Sequence, residues 1–141
     1  MRPADKRVNN KRSDKDLKTG GTPLCVEPYQ ATSGCKVYAY ETSTTFEVPD
    51  ADKGDVARMM FYMEVRYQSD PITLKLVNSS TYRLSSPQLG YLCDLYKWHL
   101  NDPVDSFESR RNNLTYLWQF NRNPFIDHPE WVELIWGSTA C

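Results

Sequence analysis

The sequence predicts a mostly helical α+β fold in one domain. Residues 35–48 are rich in β-branched and aromatic side chains with partial alternation, which indicates one or two strands. Four later stretches place apolar residues at helical spacing. No internal repeat is evident, and 141 residues are enough to bury one hydrophobic core. We therefore expect a single domain over residues 1–141.

The segment before the strands is polar. Residues 1–24 end in Gly20-Gly21-Thr22-Pro23, a pattern typical of a short helical or irregular segment followed by a loop. Strand structure is therefore expected only after this segment.

The predicted helices span residues 52–68, 87–101, 103–122 and 129–136. Three of the helices have a predicted N-cap residue, namely Asp52, Ser86 and Asp102. Proline is the predicted first residue of the last three helices, at Pro87, Pro103 and Pro129. Pro124 is expected to end the third helix near Asn123, and Gly137 to end the fourth. The apolar stripe of each helix is expected to face the core; in the third it contains Val104, Phe107, Leu114 and Trp118.

Charge is unevenly distributed along the chain. Residues 1–18 carry seven basic and three acidic side chains, a net of +4. The remaining residues carry ten basic and fifteen acidic side chains, a net of −5. A polyanionic partner would therefore meet the N-terminal segment first, although such a run is also typical of a solvated terminus.

Four cysteines are present, without CxxC or Cys/His spacing typical of zinc sites. Cys25 and Cys35 flank a short loop, which suits a disulfide in an oxidising compartment. Two unpaired thiols fit the same spacing equally well. The sequence has no apolar run of about 18 residues, so no membrane span is expected.

The usual catalytic motifs are missing. GxSxG, a P-loop and HExxH do not occur. His99, late in a predicted helix, and His128, beside Pro129, are each expected to be structural. The remaining candidate is the opening segment RPADKRVNNKRSDKD, where Asn9 and Asn10 lie among Lys and Arg. An Asn carbonyl oxygen can bind Mg²⁺, and nearby Arg and Lys can hold phosphate.

This opening segment resembles the metal-binding segment of the endonuclease I nucleases, which belong to the ββα-metal, or His-Me finger, group. In that family a PA....VN..R stretch follows a DLHN-like segment. KGDVARMMFYMEVRY, residues 53–67, is similar to the family's (K/R)GD(I/V)AR..FYM..RY helix. Residues 98–136 are similar to its W...DPVD..E..RN......Q.NRNPFIDHPE.V..IW block. The three blocks occur in order and cover nearly the whole chain.

The resemblance implies a nuclease that hydrolyses DNA, and often RNA, with one divalent cation, usually Mg²⁺. A histidine acts as general base on water, and the metal stabilises charge on the phosphate and leaving oxygen. The family's metal ligands are a Glu and a later Asn, which Asn9 matches; Asn10 is the alternative if the register shifts by one. Lys6, Arg7, Lys11 and Arg12 are expected to bind phosphates, with a structural role also open for Arg12.

The chain departs from the family at its start. The family's Glu-His pair lies on a β-hairpin upstream of the point that matches Met1, so the general base is expected upstream of Met1. No residue of this chain is predicted to be that base. We expect a remnant of the ββα-metal fold that lacks this hairpin. The alternative is a noncatalytic nucleic-acid-binding or structural remnant of that fold.

The resemblance also bears on compartment and assembly. Family members are typically secreted or periplasmic, which favours a Cys25–Cys35 disulfide. A monomer that binds DNA or RNA and no membrane is expected.

Overall fold

The computed structural model describes residues 6–25, 37–69, 71, 74–78 and 88–141. Six α-helices lie in these ranges: α1 Lys6–Arg12, α2 Lys53–Arg66, α3 Leu92–Asn101, α4 Ser106–Gln119, α5 Pro124–Asp127 and α6 Glu130–Trp136. The strands are β1 Asp16–Leu17, β2 Thr22–Leu24, β3 Ala39–Glu41, β4 Thr45–Glu47, β5 Lys75–Leu76 and β6 Gln88–Gly90. A 3₁₀ turn, Asp50–Asp52, precedes α2. The predicted α+β class is confirmed.

The strands form one mixed sheet in the order β2-β3-β4-β1-β6-β5. β1 lies inside the sheet, parallel to β4 and β6, whereas β2, β3 and β4 pair antiparallel. The prediction of one or two strands within 35–48 is confirmed, since β3 and β4 both lie there. β1 and β2 come instead from the segment expected to be helical or irregular. Gly90 is required beside β1, because a Cβ there would lie 2.8 Å from the carbonyl oxygen of Leu17.

Two hydrophobic clusters flank this sheet. The larger joins the sheet to the helices and contains Leu17, Ala57, Phe61, Leu76, Leu92, Leu95, Trp98, Phe125, Val132, Trp136 and Ala140. The smaller joins α1 to the antiparallel strands through Val8, Leu24, Ala39 and Phe46. The smaller cluster is what holds α1 against the rest of the molecule.

Two predicted helix starts are wrong. Residues 88–90 form β6, so α3 begins at Leu92 and not at 87; Ser86 and Pro87 lie outside the described residues. α4 is capped by Asp105, whose side chain accepts from the Glu108 amide at 2.7 Å. The predicted cap, Asp102, instead accepts from the Gly54 amide at 2.8 Å and joins α3 to α2. Both errors have one cause, since tertiary hydrogen bonds outweigh local capping preference.

The other two helices match the sequence closely. α2 and α6 are confirmed within about two residues of their predicted ends.

Phe120, in a left-handed conformation, ends α4. Pro124 then begins the short α5, capped by the Asn123 side chain at 3.0 Å from the Phe125 amide. α5 was not predicted.

The predicted core face of α4 is also wrong. Phe107, Leu114 and Trp118 are 53%, 49% and 83% exposed. The buried residues of α4 are Glu108 and Asn112. This helix therefore packs through polar contacts and leaves its apolar stripe on the surface.

Those polar contacts centre on Arg58 of α2, which is fully buried. Its Nε donates to Glu108 Oε1 and Oε2 at 2.9 and 2.8 Å, and its Nη1 donates to the Asp102 carbonyl at 2.9 Å. Asn123 Nδ2 donates to the Arg58 carbonyl at 2.9 Å. Burial raises the pKa of Glu108, and the Arg58 hydrogen bonds and charge oppose that rise. The contacts of Arg58 with Glu108 and Asn123 thus link α2 to α4 and to the start of α5.

A disulfide joins Cys93 of α3 to Cys141, closing 48 residues. The predicted Cys25–Cys35 pair includes Cys35, which lies outside the described residues. In the described ranges, no helix is long and apolar enough to cross a membrane.

Candidate nucleic-acid interface on α1

The exposed face of α1 carries the predicted site. Val8 is buried in the smaller cluster and fixes which side of the helix faces inward. Asn9 is consequently exposed, as are Lys6, Arg7, Asn10 and Lys11. The structure therefore brings an amide oxygen and several cations together on one helix surface.

The C-terminal end of α1 is a tight, ordered turn. Ser13 has φ of 48°, a left-handed conformation that ends the helix. Its amide donates to the Asn9 carbonyl at 2.9 Å, and the Lys15 amide donates to the Arg12 carbonyl at 3.0 Å. The Asn9 backbone is thus committed to the helix end, while its exposed side chain is the part that can meet a ligand.

Arg12 differs from the other cations of α1. It is half-buried, and its charge acts on Asp16 at the start of β1. Burial raises the pKa of the Asp16 carboxyl; the Arg12 charge opposes that rise and the neighbouring Asp14 charge adds to it. This placement fits the structural alternative for Arg12 as well as contact with phosphate.

Asp16 is a feature that the sequence did not reveal. It is 3% exposed, and its Oδ1 has no hydrogen-bond partner among the described residues. A buried carboxylate oxygen without a donor is costly. Only its place inside the sheet, between β4 and β6, creates this environment, and the sequence gives no sign of that neighbourhood.

The donor chemistry near α1 fits a hard cation only in part. The Asn9 amide oxygen is of the type that Mg²⁺ binds. No group of three or more His, Cys, Asp or Glu that could hold a metal occurs within the described ranges. Asn9 therefore fits as one ligand of an incomplete set.

A polar groove adjoins this surface. Its volume is about 550 Å³, and its walls are the C-terminal part of α1, the start of β2 and the β3–β4 turn. The lining residues are Asn10, Lys11, Ser13, Lys15, Thr22, Glu41, Thr42 and Ser43. Lys15 and Glu41 form a half-buried ion pair within it. Of the groove, the sequence predicts only Asn10 and Lys11 as site residues; Ser13 and Lys15 follow them in the chain, and the other walls come from β2 and the β3–β4 turn.

Neither histidine belongs to the α1 surface. His99 is 8% exposed and contacts Arg58 Nη1 through Nδ1 at 3.3 Å. His128 precedes α6 and stacks on Trp131, with ring centroids 4.5 Å apart. Both positions agree with the structural roles expected for them.

Two curated proteins are similar to the chain over 138 residues, or 96% of its length. One is an "Extracellular ribonuclease" of Bacillus amyloliquefaciens, 44% identical. The other is an "Extracellular ribonuclease" of Bacillus subtilis (strain 168), 43% identical. The match covers 45% of each relative, so the chain spans about half the length of the curated relatives it matches.

A family model agrees with these relatives. The model described as Endonuclease I matches residues 1–130, which include α1, the sheet and the buried Arg58–Glu108 pair. The chain belongs to the endonuclease I family.

Proposed function

We propose that this chain is part of a secreted, Mg²⁺-dependent endonuclease that hydrolyses phosphodiester bonds without strong sequence preference. The observation that carries the proposal is the exposed face of α1, where Asn9 lies among cations on a helix anchored by Val8. The relatives' names favour RNA as a substrate. Membership of the endonuclease I family supports the nuclease activity in this proposal.

In this proposal the chain's own residues bind and orient the substrate strand. Lys6, Arg7 and Lys11 attract its phosphates, and such contacts fix position without reading sequence. Asn9 would supply one oxygen ligand to Mg²⁺, which when bound stabilises charge on the phosphate. The described residues of this chain are assigned neither the general base nor the other metal ligands in this proposal.

Secretion has independent structural support. Cys93–Cys141 is a disulfide, and such bonds persist mainly in oxidising compartments. The names of both relatives include the word extracellular. We therefore propose an extracellular or periplasmic location.

A second candidate function is a noncatalytic nucleic-acid-binding remnant of the fold. It is favoured by the positions of His99 and His128, both away from α1. In this case α1 would still bind phosphates, but the full gene product would not cleave.

The test is a Mg²⁺ titration of nuclease activity in the full product of the reading frame that encodes this chain. We expect EDTA-sensitive cleavage of RNA or plasmid DNA. Asn9→Ala should raise the Mg²⁺ concentration for half-maximal rate by about tenfold or more, equivalent to about 1.4 kcal/mol. Asn101→Ala, the same change at an exposed position of α3, is the matched control.

The two candidates give opposite outcomes. Cleavage whose Mg²⁺ dependence shifts in Asn9→Ala and not in Asn101→Ala supports the nuclease. A full gene product that binds nucleic acid but never cleaves it supports the remnant. Unchanged Mg²⁺ dependence in Asn9→Ala would remove Asn9 from the metal site.

A further inference from the structure

The polar groove lies next to the α1 surface and shares residues with it. Asn10 and Lys11 form its α1 wall, and Asn10 directly follows the proposed metal ligand Asn9. A volume of about 550 Å³ lies within the range of small-ligand sites, about 300–1,000 Å³. A strand bound along α1 would therefore place one of its sugar–phosphate units in or beside the groove.

The opposite wall of the groove is rigid. Thr42 Oγ1 accepts from the amides of Thr44 and Thr45 at 3.2 and 2.9 Å. It also lies 2.7 Å from Thr45 Oγ1. The Thr42 hydroxyl is thus used to shape the β3–β4 turn, while Ser43 at the tip of that turn is exposed. A preformed wall lowers the entropic cost of binding.

The lining selects the kind of group that fits. Every lining residue is polar or charged, so the groove offers no aromatic surface for stacking a base. Lys15 is paired with Glu41, which leaves Lys11 as the exposed cation at the edge. The groove thus has charge for one phosphate, plus amide and hydroxyl groups.

A sugar hydroxyl suits the remaining groups better than a second phosphate. Phosphate oxygens only accept hydrogen bonds and would be repelled by the Glu41 carboxylate. A hydroxyl both donates and accepts, so it can bond to the amide of Asn10, the hydroxyl of Ser43 or the Glu41 carboxylate. Ribose carries a 2′-hydroxyl at each unit and deoxyribose does not.

We propose that this groove binds a ribose–phosphate unit next to the cleaved bond and favours RNA over DNA by contacting the 2′-hydroxyl. The proposal rests on the proposed nuclease function and names the substrate class of that site. Lys11 binds the phosphate and acts equally on both polymers. Asn10 and Ser43 bond to the sugar and act on RNA alone.

The experiment measures binding by the 141-residue chain, in EDTA, of three short single strands of one adenine–cytosine sequence. The strands are RNA, DNA and 2′-O-methyl RNA. The groove variant is Asn10→Ala with Ser43→Ala. The matched control is Asn101→Ala with Ser138→Ala, the same side-chain changes at exposed positions outside the groove.

We expect the unmodified chain to bind RNA about three- to tenfold more tightly than DNA, as one or two neutral hydrogen bonds allow. The 2′-O-methyl strand should bind like DNA. The groove variant should lose the RNA preference with DNA affinity unchanged, and the control should keep it. Lys11→Gln should weaken binding of RNA and DNA by the same factor.

Equal binding of RNA and DNA by the unmodified chain overturns the groove proposal and leaves the proposed nuclease standing. An RNA preference that persists in the groove variant likewise overturns the groove proposal and leaves the proposed nuclease standing. Failure of the chain to bind any of the three strands also overturns the groove proposal, and the cleavage test on the full gene product then decides the nuclease.

Discussion

His99 is held neutral inside the ionic network that joins α2, α3 and α4. Burial lowers the pKa of His99 to about 4, with the Arg58 charge adding to this effect and a backbone hydrogen bond to Pro129 opposing it. Arg58 can only donate, so Nδ1 accepts at 3.3 Å and Nε2 carries the proton. Proline has no N–H, so Nε2 donates to the Pro129 carbonyl. Protonation of Nδ1 would therefore break a hydrogen bond and add a second charge.

This neutral state predicts acid-sensitive stability. The folded pKa of about 4 lies below the usual value of 6.5, so the unfolded chain binds more protons between these pH values. The contribution of neutral His99 to stability is complete above about pH 6.5 and falls as the pH approaches 4, by about 3 kcal/mol. Urea unfolding at several pH values measures this change.

Two variants isolate the contribution of His99. His99→Gln should flatten the part of the pH profile between 6.5 and 4, since no imidazole remains to be protonated. His128→Gln changes the exposed histidine and should keep the parent profile. If His99→Gln retains the full slope, other groups cause the acid sensitivity.

The opening segment marks the limit of what sequence can say about single site residues. An amide among cations drew attention to the opening segment, and the family resemblance then favoured Asn9 over Asn10 as the metal ligand. Glu41 and Ser43 could not be predicted from the sequence, because they join the groove only through the pairing of β3 with β4. Burial of Asp16 likewise depends on its two neighbouring strands. Site residues from one segment are predictable, and those gathered by the sheet are not.

At the scale of elements, α4 reverses the ordinary orientation of an amphipathic helix. Glu108 and Asn112 lie four residues apart and face Arg58, Asn123 and Asp127. Leu117 and Trp118 face solvent. Hydrophobic spacing identified the helix correctly, but it chose the wrong face. A fully buried arginine needs a carboxylate, and that need orients the helix.

Stability measurements can verify this orientation. Glu108→Ala should lower the free energy of unfolding by about 3–5 kcal/mol, because Arg58 would lose its main buried partner. Trp118→Ala should change it by only about 0.5 kcal/mol, since this side chain is 83% exposed. Chemical unfolding at neutral pH provides both values. The opposite ranking would return the apolar stripe to the core.

Element types were easier to predict than element boundaries. α2 has a long apolar repeat, and the short α6 is bounded by Pro129 and Gly137, so both were predicted within about two residues. β6 and β5 are only three and two residues long, so their sequence carries almost no periodic signal. They are strands because β1 offers a parallel edge for β6 to pair with. Short strands of this kind are specified by the sheet and not by local sequence.

At the scale of the whole molecule, the Cys93–Cys141 disulfide ties the last residue to the start of α3. Closing 48 residues should stabilise the oxidised chain by about 4 kcal/mol in the chain-entropy model. Cys93→Ser with Cys141→Ser should show this loss in denaturant unfolding without reductant. Cys141→Ser alone should show nearly the same loss, because either change removes the bond. Full stability of the double variant would mean that the bond constrains little.

The distribution of charge predicts how the whole chain binds nucleic acid. The net charge is −1, so attraction must come from the local cations of α1 and not from the molecule as a whole. Binding of duplex DNA through about four phosphate contacts should give a log–log salt slope of about −3 to −4. Replacing Lys6, Arg7, Lys11 and Arg12 by Gln should abolish this slope.

A control with the same change in net charge separates local from global attraction. Arg66, Lys75, Lys97 and Arg110 are exposed and lie outside α1, so replacing all four by Gln removes equal charge elsewhere. If binding is local to α1, this variant keeps a slope close to that of the parent chain, with affinity reduced only by weaker long-range attraction. Fluorescence anisotropy over a salt series measures both quantities. Equal loss of slope in the two variants would show that the bound DNA does not contact the α1 cations in preference to cations elsewhere on the chain.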